Sequence, residues 1–364
     1  FEGVTTMKVL RPEHPNPQWE RENWINLNGE WEFDFDHGKS AREKFSKGKL
    51  TLTQKINIPF CPESQLSGIG YEDFLSSVCY RKVVTLTKEN LEGNIFLHFG
   101  AVDYHAFIYI NGQKADEHRG GFSSFKVDIT PFAKEGENEI FVIAEDNQRD
   151  KTQPIGKQRG RYFEWGLAYM RTTGIWQTVW LEFTPKAYIK SCKYFPDIEN
   201  KKLFVEGEVC GEGTLSLSAT YEGKNVGHAE KKVEHGFFTV EIALSELYLW
   251  EVGNGRLYDL ELKFGEDTVK SYFGMREVCL KGKKFMLNGK TLFLRTVLDQ
   301  GYNRQGVYTA PDTSLYTDDI KRAQALGFNS ARPHQKVFEK RYIYECDKAG
   351  FLIWGEHANW GMDY

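Results

Sequence analysis

The stretch "GFNSARPHQKVFEKRYIYECDKAGFLIWGE", residues 327–356, decides how this chain is to be read. "FNSARPH" reads as a buried strand running into polar residues. "EKRYIYECDKAG" has helical spacing and stops at Gly350, and "FLIWGE" is a further apolar strand that delivers a carboxylate, Glu356. Just upstream, "KTLFLRTVLDQGY" (290–302) reads as a continuous apolar strand with a polar end. "SLYTDDIKRAQALG" (314–327) then reads as a helix with Leu315, Ile320, Ala323 and Leu326 on one face and Gly327 as its stop. Strand, helix, strand, helix, strand is the opening of a parallel α/β unit, here the start of a (β/α)8 barrel.

In such barrels the chemistry sits at the carboxyl ends of the strands. Those ends carry Asp299 and Gln300, then Arg332 and His334, then Glu356, His357 and Asn359. A full barrel takes roughly 250 residues, whereas residues 285–364 supply about 80. A sheet of this kind with an open edge is an incomplete unit, so the sequence reads as the front part of a longer protein.

Upstream of residue 285 the texture is different. From Trp31 to about Phe183 short alternating segments are broken by turn residues, with Asn111-Gly112 as a strong hairpin signal. Residues 1–185 therefore read as a jelly-roll β-sandwich. After Pro185, "KLFVEGEV", "TLSLSATYEG", "FFTVEIALS" and "LYDLELKFG" recur with turn signals at short spacing, so residues 186–278 read as an immunoglobulin-like sandwich. Residues 279–364 hold the first three barrel strands. The fold class is multidomain, β followed by α/β.

Composition bounds the function. Fifty-one acids against 47 bases leave a net charge of −4, with none of the basic excess that a nucleic-acid partner would require. "KGKK" (281–284) reads as a solvated turn. Aromatic residues make up 15% of the chain; they suit strands and they stack on sugar rings. Six scattered cysteines show no metal-ligand spacing and suit a reducing compartment, so the expectation is a cytoplasmic protein. The chain opens on Phe1, which leaves room for a removed leader. No apolar run approaches the ~20 residues of a membrane span.

The ordered series of segments resembles glycoside hydrolase family 2, which includes β-galactosidases, β-glucuronidases and β-mannosidases. "LNGEWEFDFD" (27–36), "INIPFCPESQLSGIGYED" (56–73) and "TTGIWQTVWLE" (172–182) are similar to that family's opening sandwich. "YFGMREV…FMLNGKTLFLRTVLDQGY" resembles its passage into the barrel, and residues 327–356 resemble its second and third barrel strands. There are departures. Some members read "HYP" after the second-strand arginine, where this chain has Pro333-His334-Gln335; Cys79-Tyr80 stands where many have a tryptophan before the tyrosine. Galactosidase-like members carry an acidic residue where this chain has Ala168 and Tyr169, which weakens a galactose preference.

The resemblance implies a retaining, exo-acting β-glycosidase acting on a carbohydrate substrate, with homo-oligomers common; some members bind magnesium or sodium near the site, but no ligand cluster is visible in this sequence and no cofactor is expected. Retaining glycosidases use two carboxyl groups roughly 5 to 5.5 Å apart. The family places them at the ends of the fourth and seventh barrel strands, beyond Tyr364, so this chain by itself is expected to be inactive. Asn138-Glu139 has the family's "NE" pairing but reads as a hairpin residue pair of the first sandwich. Glu356, on the third strand, becomes a supporting residue that binds a sugar hydroxyl or holds Arg332. Arg332 is implied to orient the nucleophile, and its alternative is a structural ion pair. His334 is a donor to substrate or a satisfied core histidine; Asp299 is a sugar ligand or a turn residue. Asn359 and Trp360 complete the set, Trp360 as a stacking platform, whereas Trp354 reads as core. Loop 153–166 offers Arg161, Tyr162, Glu164 and Trp165, although an exposed loop without a specific role is the stronger reading. The rival function is a noncatalytic carbohydrate-binding or structural module.

Overall fold

The computed structural model describes residues 10–163, 166–234 and 236–362. Most of its regular structure is antiparallel sheet. In the front part, a six-stranded sheet orders Gln54–Ile58, Gly29–Phe35, Ser77–Leu86, Gly136–Glu145, His105–Ile110 and Gln113–Arg119. It packs on a four-stranded sheet of Trp24–Asn26, Val179–Thr184, Asn94–Phe99 and Phe125–Asp128. Their inner faces make one core that includes Trp31, Phe33, Tyr80, Leu97, Phe99, Ile108, Val142 and Leu181. The expected hairpin is present: Ile110 pairs with Gln113 across Asn111 and Gly112, which take φ of 49° and 81°. Positive φ at both central residues is what a tight two-residue hairpin turn demands. Asn138 lies within the strand Gly136–Glu145, paired with Val84, rather than in a turn. Its side chain is buried, and its oxygen accepts the Lys134 N–H at 2.9 Å, stitching the preceding turn to the strand.

The second sandwich sets Tyr188–Asp197, Lys202–Cys210 and Gly236–Ala243 against Lys224–Val233, Gly213–Tyr221, Tyr258–Phe264 and Asp267–Phe273. Its strands show period-2 burial: Phe238, Val240 and Ile242 point inwards while Phe237 stands 87% exposed. A small antiparallel sheet of Val278–Lys281, Lys284–Leu287 and Lys290–Thr291 follows, and "KGKK" is its hairpin turn.

A parallel sheet of Thr296–Asp299, Ser330–Pro333 and Leu352–Ile353 closes the described chain, with helices Ser314–Ala325 and Lys340–Ala349 in the connections. The helices bury one face of that sheet through Tyr316, Ile320, Ala331, Tyr342, Cys346 and Phe351. Gly350 ends the second helix with φ of 66°, as its sequence suggests.

Several expectations are corrected here. The apolar strand of residues 290–302 is regular only over Thr296–Asp299, because Lys290-Thr291 pair with the preceding small sheet instead. On the first helix Leu315, Ile320 and Ala323 pack as expected, joined by the buried Tyr316, but Leu326 falls past the last turn and is 79% exposed. Trp354 is not core. It follows the last strand on the sheet face away from the helices and is 58% exposed, as is Leu298 at 51%.

The blocks are tied together by buried polar contacts. Arg21 donates to Asp267 in the second sandwich and to Glu182 in the first, at 2.8 and 2.9 Å. Arg11 donates to Glu339 at 2.7 Å and to the Ala310 carbonyl at 2.9 Å, joining the N-terminal segment to the helical part.

Candidate active-site cluster

The middle strand, Ser330–Pro333, aligns Arg332 with Leu298 and brings Ala331 opposite Ile353. Arg332 and Glu356 thus emerge from neighbouring parallel strands at the same end of the sheet. Nε and Nη2 of Arg332 both donate to Glu356 Oε2, at 3.0 and 2.7 Å. The other oxygen, Oε1, accepts the Gln335 N–H at 2.7 Å and lies against Nδ1 of His334. Burial works to raise the Glu356 carboxyl. The Gln335 N–H, the Arg332 guanidinium and His334 outweigh it and hold the group below its ordinary range. Glu356 is therefore a fixed, ionised acceptor with both oxygens engaged, which suits a scaffold for Arg332 and His334 better than a nucleophile or a proton donor.

Gln335 is the residue that sequence reasoning missed. It sits at φ 58° just past the strand, and its buried side chain locks the tail of the third strand. Nε2 donates to Asn359 Oδ1 at 2.6 Å, while Oε1 accepts the N–H groups of Asn359 and Trp360 at 3.0 and 2.9 Å. That amide clasp places the Trp360 ring edge-on to His334, with centroids 6.1 Å apart. A glutamine beside a histidine carries no periodicity, so nothing in the pattern flagged it.

Asp299 stands outside this side-chain cluster. Its carboxylate accepts the Gly301 N–H at 2.8 Å, a turn role, and its carbonyl accepts the His334 N–H at 2.7 Å. The Gly301 carbonyl in turn accepts from Lys336 Nζ at 2.6 Å, and the Tyr308 carbonyl does so at 2.7 Å. Lys336 is buried between Tyr308 and Phe338, and burial pushes its ammonium down to about 8 against the pull of Glu339 and Asp299.

Residues 153–163, the described part of the loop before residue 166, are not a free surface segment. The first part of the loop crosses from the front sandwich to the strand ends: the N–H groups of Ile155 and Gly156 donate to the Trp360 carbonyl at 2.8 and 3.3 Å. Gly156 has φ of 60°, and a Cβ there would meet the Gln335 carbonyl oxygen at 2.3 Å, so this close approach requires glycine. Lys157 then lays its ammonium 3.3 Å from the centre of the Trp360 ring. The residues expected from this loop behave differently. The Arg161 carbonyl accepts from Arg171, Tyr162 is 64% exposed and packs on Phe74, and Glu164 and Trp165 lie outside the described residues.

Residues 25–185 match the family model described as "Glycosyl hydrolases family 2, sugar binding domain". The front of this chain is thus similar to a family 2 sugar-binding domain. The resemblance read from the sequence is thereby borne out, and relatives extend it along the chain. A protein named putative beta-glucuronidase from Formosa agariphila is 28% identical over 305 residues, 76% of this chain and 34% of its own length. A beta-galactosidase from Thermoanaerobacterium thermosulfurigenes is 24% identical and covers 92% of this chain and 48% of its own. The structure of a β-glucuronidase from Ruminococcus gnavus in complex with D-glucuronic acid superposes with a TM-score of 0.80 at 21% identity. It covers 97% of this chain and 62% of the Ruminococcus protein, and it shows the fold alone. The chain thus spans less than two thirds of the length of each of these relatives.

Proposed function

We propose that this chain belongs to glycoside hydrolase family 2 and forms the front and the barrel opening of a retaining, exo-acting β-glycosidase of the β-galactosidase or β-glucuronidase type, hydrolysing O-glycosyl bonds in carbohydrate catabolism. Residues 1–185 are assigned as the jelly roll, 186–278 as the immunoglobulin-like sandwich and 279–364 as the first three strands of a (β/α)8 barrel. The observation that carries the reading is the meeting of Arg332, His334 and Glu356 at the carboxyl ends of adjacent parallel strands. Arg332 and His334, oriented by the fixed Glu356 carboxylate, act as donors to substrate and to the reacting carboxyl group. Asn359 and Trp360 shape the wall, and Asp299 holds the first strand's turn. The acid/base and nucleophile glutamates are assigned to segments following Tyr364. The free thiols of all six cysteines support a cytoplasmic setting.

A panel of nitrophenyl β-glycosides, assayed with the protein as its gene encodes it, tests the reading. Turnover of at least one β-glycoside, with the anomeric configuration retained in the product, is the expected result. Inertness across the panel, with polysaccharide binding by the front sandwich, favours the rival reading as a noncatalytic binding module; the match to a sugar-binding domain is the observation behind that rival.

A further inference from the structure

A cavity of about 440 Å³ opens where the front sandwich, the second sandwich and the helix Lys340–Ala349 meet, and no residue of the strand-end cluster lines it. Each block sends a lysine to its wall: Lys126 from the strand Phe125–Asp128, Lys190 from Tyr188–Asp197, and Lys340 from the start of the helix. Lys190 has a carboxylate of its own, Glu208 at 2.7 Å. Glu182 attracts the other two, but its Oε1 is held by Arg21 at 2.9 Å and its Oε2 by His98 at 3.1 Å. Asp128 adds only a weaker pull on Lys126. Among the described residues, Lys126 and Lys340 therefore have no ion-pair or hydrogen-bond partner; the Lys126 ammonium faces the Phe96 ring, 4.4 Å from its centre. Both lysines are exposed, so a ligand can reach them, yet the surrounding walls lower both ammonium groups from their ordinary value.

We propose that this junction is a binding site for a phosphate or sulfate ester carried on a sugar-sized ring, with Lys126 and Lys340 holding the oxyanion. A tetrahedral oxyanion presents three terminal oxygens, and two ammonium groups without carboxylates of their own match it as point charges. The same cavity offers the half-buried rings of Trp19 and Tyr194 as faces for ring C–H groups, and Ser124 and Ser191 as partners for hydroxyls. Its volume lies within the roughly 300–1,000 Å³ of small-molecule sites. A neutral ring would leave both ammonium groups unpaired, so charge is the feature of the ligand that this cavity selects. Because its lysines come from three blocks, an occupied site also ties those blocks together.

The test is one of binding and does not depend on the glycosidase reading. Isothermal titration calorimetry, with the protein as its gene encodes it, compares glucose 6-phosphate, glucose 6-sulfate and glucose, with inorganic phosphate and sulfate as competitors. At least one ester is expected to bind about 10-fold or more tighter than glucose and than its own free anion, to weaken as salt is added, and to raise the melting temperature. A tighter phosphate ester assigns a phosphorylated ligand, and a tighter sulfate ester a sulfated one. The double variant Lys126→Gln, Lys340→Gln is expected to lower the ester's affinity about 10- to 100-fold, and Arg332→Ala to leave it within about 3-fold, which places the ligand at the junction and not at the strand ends. The proposal is overturned by any of four results: no ester bound, glucose bound as tightly, an adventitious ion only, or an affinity that follows Arg332 instead of the two lysines. If the double variant does not fold, lysine acetylation of the wild type, read by mass spectrometry, decides: protection of Lys126 and Lys340 by the ester but not by glucose supports the site, and equal labelling refutes it.

Discussion

At the scale of single residues, the site is built by saturating one carboxylate. Glu356 has an arginine on one oxygen and a backbone N–H and a histidine on the other, so its negative charge is spent on holding partners. The sequence placed Arg332, His334 and Glu356 at strand ends, because an apolar run that stops at polar residues is a readable signal. It left Glu356 between a sugar hydroxyl and Arg332, and the structure gives Arg332, since pairing depends on parallel register. A second carboxyl group of residues lies deep in the front sandwich. Glu63, Asp103 and Asp146 are all at most 3% exposed and interact with one another; burial raises each, Glu63 to about 7. Asp146 accepts from Gln153 and Thr173, and Asp103 from Gln158, so the group anchors both ends of the loop that carries Lys157. Raised carboxyl values mean that the folded form binds protons more tightly than the unfolded chain. Their contribution is complete below the unfolded values near 4 and is lost as pH rises through 7. His14, pushed by burial to about 4, and the lowered His98 act in the opposite sense, but only below their unfolded value of 6.5. Urea midpoints are therefore expected to fall between pH 6.5 and 8.5, and Asp146→Asn to flatten that decline. A rising midpoint over this interval would contradict the assignment.

At the scale of elements, the legible features were those with a period or a turn signature. The Asn111-Gly112 hairpin, the helix stop at Gly350 and the alternating second-sandwich strands all follow from local rules. The failures share a cause. Leu326 and Trp354 are apolar residues whose burial depends on what packs beside them, and residues 290–302 divide between two sheets that compete for the same backbone. The loop that starts at Gln153 was also undervalued, because a polar, glycine-containing segment looks the same whether it is free or clasped. Its Gly156 supplies the check. Gly156→Ala forces a Cβ into the Gln335 carbonyl at φ 60°, and about 1–3 kcal/mol of stability should be lost. Urea denaturation measures that loss, and a red shift in tryptophan emission reports Trp360 released from the loop. An unchanged unfolding midpoint would mean that the clasp does not constrain the site.

At the scale of the whole molecule, buried ion pairs join the parts that the sequence could only set in order. Arg21 bridges Glu182 and Asp267 with its Nη2 on the Ile189 carbonyl at 2.7 Å, so one guanidinium spans both sandwiches. Removing it leaves two carboxylates in a largely dry junction, and Arg21→Ala should cost about 3–5 kcal/mol. Calorimetry is expected to show one unfolding transition for the wild type and two for Arg21→Ala; one unshifted transition in the variant would show that the sandwiches are coupled by other contacts. The order sandwich, sandwich, parallel sheet was visible in sequence texture alone. Their docking was not, because it rests on pairs separated by more than 150 residues, such as Arg21–Glu182 and Arg11–Glu339.

The central claim is that the strand-end cluster serves glycoside hydrolysis. Its most direct test is the hydrolysis rate of the preferred nitrophenyl β-glycoside by the gene-encoded protein and by its Arg332→Ala variant. The account predicts measurable turnover by the wild type and a loss of roughly 10- to 100-fold or more in kcat/KM when the guanidinium is removed, the folded fraction being equal by circular dichroism. Turnover that Arg332→Ala leaves intact, or a wild type inert on every β-glycoside offered, would contradict it.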